Sequence, residues 1–210
     1  LGYDLGSEPV RRAAIEEANA LAGADTITFS IASGLQSITP ASALPTISTE
    51  IDIDATTQPG FAGTPLIKLV GTGAPQAIGL LITGANSSVR GLIVVGFGNK
   101  GIQVNADGVV VAGNYIGVTE TGAAQGNGSA PAGGGAGIGA GGVLVSNGDF
   151  PNTIIGGTTA ADRNVVSGNT YGIQILCASN VRVQGNYIGL DPTGTLARPN
   201  SSFAVHVSTD

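Results

Sequence analysis

Tryptophan and methionine are absent from the 210-residue chain, and there is a single cysteine, Cys177. One cysteine rules out a disulfide framework or a cysteine-based metal cluster. Lysine and arginine number only eight against 14 acidic residues, so a net charge of −6 offers no basic surface for nucleic acid or an anionic membrane. No apolar run approaches the roughly 18 residues of a membrane span, so we expect no membrane insertion.

Glycine is abundant instead, at 35 of 210 positions, well above its usual frequency of about 7%. The glycines do not recur at every third residue, which excludes a collagen-like helix. Hydrophobic residues reach 42% while charged residues stay at 10%, a balance that argues against intrinsic disorder. The composition is typical of one ordered, β-rich domain with glycine in its turns.

One segment, over about residues 8–22, has helical periodicity. Its apolar residues recur three or four positions apart, at Val10, Ala14, Ala18 and Leu21. Gly23 follows, and glycine commonly ends a helix in a left-handed conformation. We therefore expect a short amphipathic helix within an N-terminal cap that comprises residues 1–24.

From Asp25 onward the chain changes to short apolar runs rich in β-branched residues, separated by Gly, Asn, Ser, Thr or Pro. Such runs are typical of β-strands. They are too closely spaced for crossover helices, which excludes a doubly wound α/β fold. The runs are Ile27–Ile31, Ile51–Ile53, Leu66–Val70, Leu80–Ile82, Leu92–Val95, Val109–Val111, Val143–Val145, Val165–Val166, Ile173–Leu176 and Val181–Val183.

An internal repeat organises these strands. The segment Gly113–Gly117 (GNYIG) recurs unchanged as Gly185–Gly189, an offset of 72 residues. A related strand, Gly142–Val145, lies 30 residues before Gly172, and the strand that begins at Phe203 lies 31 residues after it. The large repeat therefore contains two smaller turns of about 30 residues each.

A helix-free unit of this size cannot bury its own apolar side, but stacked units bury a continuous core. The predicted fold is all-β, a parallel solenoid of β-rungs over residues 25–210. A glycine-rich insertion at 123–142 lengthens one turn to 41 residues. Strand alternation points Gln103 and Gln174 outward. The expected core positions, some of which alternation turns outward, include Val94, Val95, Val111, Val165, Val166, Ile173 and Val183.

Several motifs give the chain a family resemblance. It resembles the secreted bacterial right-handed parallel β-helix repeat proteins that begin with an L-R-E-A-I-type capping helix. The cap S-L-R-E-A-I-x-x-A-N is matched at Arg12, Ala14, Ile15, Ala18 and Asn19, although Arg11 and Ala13 depart from it. The other matched segments are Gly23–Phe29 (G-A-D-T-I-x-F), Leu44–Ile47 (L-P-x-I), Ile53–Gly60 (I-D-G-T-T-Q-P-G, with Ala55 for Gly), Arg163–Asn169 (R-N-V-I-S-G-N) and Gln184–Thr195 (Q-G-N-Y-I-G-T-D-x-T-G-T). The resemblance implies a right-handed β-helix and a secreted or cell-surface location.

The β-helix also houses polysaccharide lyases and glycoside hydrolases, so carboxylates have to be considered, although fold alone decides no function. Glu50, Asp52 and Asp54 alternate with isoleucines and should project from one face of a strand. They are the candidates for a Ca²⁺ site or a catalytic pair, since hard cations take several oxygen ligands. The alternative is a solvated outer face, and we predict no catalytic residue and no required cofactor.

The remaining polar candidates are isolated. Asp191 and the pair Asp162–Arg163 fall at turns, where capping and pairing between rungs account for them. His206 lies between two valines and points outward if they point inward. Cys177 has apolar neighbours on one side only, which predicts a quiet, partly buried thiol.

Two aromatic residues occupy equivalent repeat positions, Tyr115 and Tyr187. They either pack within the repeat or line a groove that stacks on a sugar. The leading hypothesis is a non-catalytic extracellular structural module, a rigid β-helical shaft used for adhesion or scaffolding. The alternative is a polysaccharide lyase or glycoside hydrolase that acts in a groove beside the β-helix. A polysaccharide or cell-surface ligand is compatible with either.

The last predicted strand bears on self-association. A solenoid exposes unpaired backbone groups at an end that nothing covers. The helix over 8–22 is placed to cover one end, whereas no such element follows Phe203–Val207. We therefore expect end-to-end association through Phe203–Asp210, which repeated without closure gives a filament.

Overall fold

A computed structural model of the chain describes residues 8–128 and 140–209, with side chains from Arg12 onward. Within these residues the chain forms one α-helix, α1 (Glu8–Ala20), two short 3₁₀ turns, and the following β-strands. In chain order they are β1 (Asp25–Thr28), β2 (Gln36–Ile38), β3 (Ile51–Asp54), β4 (Ile67–Val70), β5 (Leu80–Ile82), β6 (Ser88–Arg90), β7 (Leu92–Val95), β8 (Lys100–Val104), β9 (Val110–Ala112), β10 (Tyr115–Ile116), β11 (Gly141–Asp149), β12 (Ile154–Gly156), β13 (Val165–Val166), β14 (Ile173–Ser179), β15 (Arg182–Gln184), β16 (Tyr187–Ile188) and β17 (Val205–Ser208).

The strands form three parallel sheets, which makes the fold a parallel β-solenoid. Sheet A has the order β1-β3-β6-β9-β12-β15, sheet B the order β2-β4-β7-β10-β13-β16, and sheet C the order β5-β8-β11-β14-β17. New turns begin at β1, β3, β6, β9, β12 and β15, and from the second turn onward the chain visits sheets A, B and C in that order, whereas the first turn has strands in sheets A and B only. Every predicted run contains or overlaps a strand. Among the strands that the runs do not include, β2, β6 and β12 have only three residues each, and β2 and β6 contain polar residues.

The pairing register of the strands gives the number of residues in each turn. Val143 pairs with Ile173, 30 residues on, and with Ile102, 41 residues back, as the repeat predicted. The last turn differs by one residue, because Ile173 pairs with Val205, 32 residues on rather than 31. A one-residue slip exchanges the two faces of a strand. The observed register therefore keeps Val205 on the inward side and His206 on the outward side.

A single apolar core runs along the solenoid and ends beneath α1. Of the predicted core positions, Val94, Val111, Val166 and Ile173 belong to it, and Val183 packs against it half-buried. Val95 and Val165 alternate onto the outer face of sheet B and are nevertheless buried, because segments between the strands cover that face.

Helix α1 covers the first turn with the matched residues of the cap motif. Ala14, Ile15 and Ala18 are buried in the core, as predicted. Leu21 is 44% exposed, so its assignment to the apolar stripe was wrong: the helix ends at Ala20, before that position. Gly23 has a φ of +112°, the left-handed conformation expected after a helix. Val10 and residues 1–7 of the predicted cap lie outside the described side chains.

Two polar side chains of that motif fasten the helix to the loop beneath it. Arg12 donates from Nη2 to Ser42 Oγ and to the Ala43 carbonyl, both at 2.6 Å. Asn19 donates to the Thr46 carbonyl at 2.7 Å, and its Oδ1 accepts the Ser48 N–H at 2.9 Å.

The segment matched at Ile53–Gly60 fastens the second turn to the first. Gln58 is buried; it accepts the Ile31 N–H at 3.0 Å and donates to the Ile31 carbonyl at 2.7 Å. Thr57 Oγ1 accepts the Phe29 N–H at 2.8 Å. These motif residues therefore join adjacent turns where the intervening backbone leaves the sheets.

Gln174 lies on the outer side of sheet C, paired with Leu144 and His206, as strand alternation predicted, and it is only 1% exposed there. One prediction about exposure was wrong. Cys177 is exposed rather than partly buried. Its φ of +48° matches the +66° of Asn147 one turn earlier, so both strands bend there and the thiol turns away from the sheet.

Most of the predicted glycine-rich insertion, residues 129–139, lies outside the described residues. The described part includes residues 140–142, where β11 begins at Gly141. In the part of the chain that the structure describes, no helix is both long and apolar enough to cross a membrane.

Candidate functional site

A ladder of buried asparagines lines the corner between sheets A and B. Asn164 Oδ1 accepts the backbone N–H of Asn114 at 2.9 Å, and Asn186 Oδ1 accepts that of Asn164 at 3.2 Å. Each side-chain amide also donates to the next Oδ1, at 3.1 and 3.0 Å. The ladder thus satisfies backbone groups at a corner where the sheet hydrogen bonds are interrupted.

A second ladder does the same at the corner between sheets B and C. Asn169 Oδ1 accepts the Asn127 N–H, and Asn200 Oδ1 accepts the Asn169 N–H, both at 3.0 Å. Sequence reasoning missed both ladders. For the first, a signal was present, because Asn114, Asn164 and Asn186 each directly precede a strand of sheet B.

The predicted carboxylate cluster is engaged with neighbouring hydroxyls. Asp52 and Asp54 alternate on β3 and are half-buried, whereas Glu50 precedes the strand and is exposed. Asp52 accepts a hydrogen bond from Ser88 Oγ at 2.6 Å. Asp54 caps the short 3₁₀ turn that follows β3 by accepting from Thr56 N and Oγ1 at 2.9 and 2.6 Å. Among the described residues, no group of three or more His, Cys, Asp and Glu side chains is arranged to hold a metal ion.

A groove with a volume of about 460 Å³ runs outside the corner between sheets A and B. We call it the corner groove. Its walls carry two arginines, Arg90 and Arg163, and its floor is formed largely by small residues. Its lining residues are Thr56, Phe61, Gly63, Arg90, Gly91, Ala112, Gly113, Tyr115, Ala160, Ala161, Arg163, Val165 and Pro192.

Arg90 projects from the end of β6 and is paired with an acid. Its Nη1 lies 2.8 Å from Asp162 Oδ1, and Thr159 donates to the other oxygen, Oδ2, at 2.7 Å. The hydrogen bond from Arg90 is the main reason that the pKa of Asp162 lies below its ordinary value. Asp162 therefore anchors the 157–163 loop across the groove and offsets the charge of Arg90.

Arg163, the next residue, has a different environment. Its Nε donates to the Gly185 carbonyl at 3.0 Å, and its guanidinium lies 4.2 Å from the centre of the Tyr187 ring. It forms no ion pair with any residue that the structure describes. A guanidinium carries five N–H donors in a planar fork, so Arg163 is a positive, donor-rich group on the groove wall.

The two equivalent tyrosines lie on one outer ladder of sheet B, separated by Val165. Tyr115 lines the groove and is half-buried; burial is the main reason that its pKa is raised above the ordinary value. Tyr187 instead packs beneath Arg163. Equivalent positions in the sequence repeat thus have different surroundings.

Asp191 caps a turn, as predicted. Its Oδ1 accepts the N–H groups of Thr195 and Leu196, both at 3.0 Å, and the hydroxyl of Thr193 at 2.8 Å. The bond from the Leu196 N–H is the largest cause that lowers the pKa of Asp191. The turn places Pro192 at the edge of the corner groove.

His206 is half-buried in an aromatic cluster on the outer side of sheet C. Its ring centre lies 5.2 Å from that of Phe203 and 6.3 Å from that of Tyr171. Its Nδ1 has no hydrogen-bond partner among the described residues. The outward direction predicted for His206 is therefore confirmed, but its ring packs instead of standing free.

The last turn leaves one end of the solenoid open. Val205 and Val207 pair with Ile173 and Ile175 of the preceding turn, yet they are 44% and 62% exposed. Phe203 beside them is 50% exposed. At the opposite end, α1 covers the equivalent apolar surface. We call the exposed face of β15, β16 and β17 the open end.

No family model matches the chain, and comparison with curated proteins and with solved structures gives no significant match. The resemblance to β-helix repeat proteins therefore stays a prediction, and function has to be argued from the surfaces described above.

Proposed function

We propose that the chain is a non-catalytic structural module, a rigid β-helical shaft of a secreted or cell-surface protein used for adhesion or scaffolding. The observation that carries this proposal is the unbroken stacking of its turns, in which three sheets, one core and two asparagine ladders hold successive rungs together. The cell-surface location rests on the family resemblance. A right-handed coil is supported by that resemblance and by the strong preference of parallel crossover connections for this hand.

Stiffness follows from how the turns are joined. Successive turns pair through parallel strands in sheets A and B from the first turn and in sheet C from the second turn, so bending between turns would stretch hydrogen bonds on at least one side. The corners are also bonded, because Asn164 and Asn169 each join the turn before them to the turn after them. A shaft needs this kind of rigidity along its whole length.

The open end supplies a surface for assembly. Exposed strand edges pair readily with other strands, and Val205 and Val207 add apolar area to such an edge. At the other end, the described residues on the outward side of α1 include the exposed Glu16 and Glu17, which do not match an apolar strand edge. The filament expected from the sequence would need the two ends to match, so we expect instead that the open ends of two copies meet about a two-fold axis and give a closed dimer.

The oligomeric state tests this arrangement. Sedimentation of the purified chain should show a concentration-dependent dimer, and Val207→Lys should shift it toward monomer by placing a charge in the contact. The matched control is Leu35→Lys, a substitution at an exposed apolar residue in the first turn, which should leave the dimer unchanged. A monomer at every concentration would contradict the assembly proposal, and unlimited filaments would contradict the two-fold pairing.

Activity assays test the non-catalytic part. Uronate-containing and neutral polysaccharides, each with and without Ca²⁺, should not be cleaved. Turnover that Asp52→Ala abolishes would overturn the structural assignment in favour of a lyase or hydrolase.

A further inference from the structure

We infer that the corner groove is a binding site for an acidic glycan, a sugar chain whose rings carry carboxylate or sulfate groups. This goes beyond a structural role for the shaft. Four features support it: the charge of Arg163, the rings in the walls, the shape of the groove, and the absence of a free backbone edge among the described strands beside it.

The charge in the groove is uneven. Arg90 is offset by Asp162 at 2.8 Å, whereas Arg163 has no carboxylate partner among the described residues. The Nε of Arg163 is engaged with Gly185, and the Tyr187 ring supports one face of its guanidinium. Its orientation is therefore fixed while its terminal nitrogens remain as donors. A planar guanidinium held in this way recognises carboxylate and sulfate groups through paired hydrogen bonds.

The walls suit sugar rings. Phe61, Tyr115 and Pro192 line the groove, and rings of this kind pack against the C–H surface of a sugar while its hydroxyls stay in water. The lining also contains Gly91 and Gly113, whose φ angles of +73° and +69° favour glycine. A Cβ would lie 2.9 Å from Thr56 N at Gly91 and 2.7 Å from the Ala161 carbonyl oxygen at Gly113, so both positions are needed for the close approach of neighbouring turns.

The shape suits a chain rather than a single small molecule. The lining residues come from five successive turns, from Thr56 in the second turn to Pro192 in the sixth. Four turn spacings at about 4.8 Å give a groove of about 19 Å, the scale of a short oligosaccharide. An extended peptide would need free backbone groups at a sheet edge, but β7, β10 and β13 are each already paired on both sides.

The test is a calorimetric titration of the full chain with three hexasaccharides: an oligouronate, a sulfated hexamer and a neutral hexamer, with poly-glutamate as a fourth probe. At least one acidic hexamer should bind, more weakly as salt rises, and the neutral hexamer should bind at least tenfold more weakly. Whether the uronate or the sulfated hexamer binds more tightly identifies which anionic group the groove prefers.

Substitutions locate the site. Arg163→Gln should weaken binding of the acidic hexamer at least tenfold, Arg163→Lys should weaken it less, and the matched control Arg182→Gln, at an exposed arginine outside the groove, should leave it unchanged. If Arg163→Gln lowers the melting temperature, Phe61→Ser gives an independent variant in the second turn of the groove, also expected to weaken binding.

Three results would overturn the inference. They are no binding of either acidic hexamer at millimolar concentration, equal binding of the neutral hexamer, and binding that neither Arg163→Gln nor Phe61→Ser weakens. A fourth result would also contradict it: if poly-glutamate binds as tightly as the acidic hexamers and its binding depends on Arg163, the ligand is an acidic peptide and not a glycan. None of these measurements depends on the oligomeric state, so the shaft proposal and the groove proposal can fail separately.

Discussion

Removing the central asparagine of the first ladder should destabilise the whole solenoid. Asn164→Ala deletes the only acceptor that we find for the Asn114 N–H, which is buried. An orphaned buried donor costs about 1–3 kcal/mol. The bonds that Asn164 donates to the Val111 carbonyl at 2.7 Å and to Asn186 at 3.0 Å are lost as well. Each of these two bonds contributes about 0.5–1.5 kcal/mol, so the free energy of unfolding should fall by about 2–6 kcal/mol.

Urea denaturation at pH 7, followed by circular dichroism, measures this change as a shift of the midpoint. The control is Asn105→Ala, because Asn105 Oδ1 accepts only from the side chains of Gln103 and Ser146. Gln103 reaches water and Ser146 keeps a bond from Asn147, so we expect a loss below about 1 kcal/mol.

Asn164→Asp removes the side-chain N–H donors of Asn164 but keeps the side-chain volume, so it separates these two effects of the alanine substitution. The carboxylate keeps the acceptor for Asn114 but faces the Val111 carbonyl and Asn186 Oδ1, so burial should raise the pKa of this new acid above its unfolded value of about 4. The variant should therefore be most stable below that pH and lose stability as the pH rises through its raised folded pKa. Equal losses of unfolding free energy in Asn164→Ala and Asn105→Ala would refute a stabilising role for the ladder. So would the absence of this pH dependence in Asn164→Asp.

Three further perturbations have defined outcomes. Ile173→Ala removes a fully buried core side chain and should cost about 2–5 kcal/mol in the same urea assay; a neutral result would mean that the inward register is wrong. The lowered pKa of Asp162, caused mainly by the hydrogen bond from Arg90, stabilises the fold above the ordinary aspartate value of about 4. This contribution is lost as the pH falls through the lowered folded value, so Asp162→Asn should be destabilising at pH 6 and nearly neutral at pH 2; an equal difference at both would contradict the ion pair. Thermal unfolding with and without EDTA should coincide, and a large downward shift with EDTA would point to Ca²⁺ at Glu50, Asp52 and Asp54.

The repeat and the apolar runs were sufficient to predict the architecture. The bounds predicted for Leu80–Ile82, Leu92–Val95 and Val165–Val166 coincide with β5, β7 and β13. This succeeded because a parallel strand buried between two neighbours needs β-branched apolar residues at successive positions, and glycine or asparagine must turn each corner. Both requirements are local and are therefore visible in a single sequence.

The pairing of asparagines within the ladders could not be predicted from the sequence, because their spacing is irregular. Asn164 follows Asn114 by 50 residues and precedes Asn186 by only 22, although the three lie on successive turns. Loops of unequal length between the rungs hide the equivalence. Only the pairing of the strands shows which corner lies above which.

The sequence alone therefore determined the solenoid class, the capping helix and most inward core positions, since each depends on the pattern of residues close together along the chain. The tertiary structure decided what lies on the outside. Gln174 is buried, Cys177 is exposed, and Arg90 and Arg163 share one groove although 73 positions separate them. These features arise because stacking brings distant corners side by side and because segments between the strands cover some outer faces while leaving others open. Neither effect leaves a periodic signal in the chain.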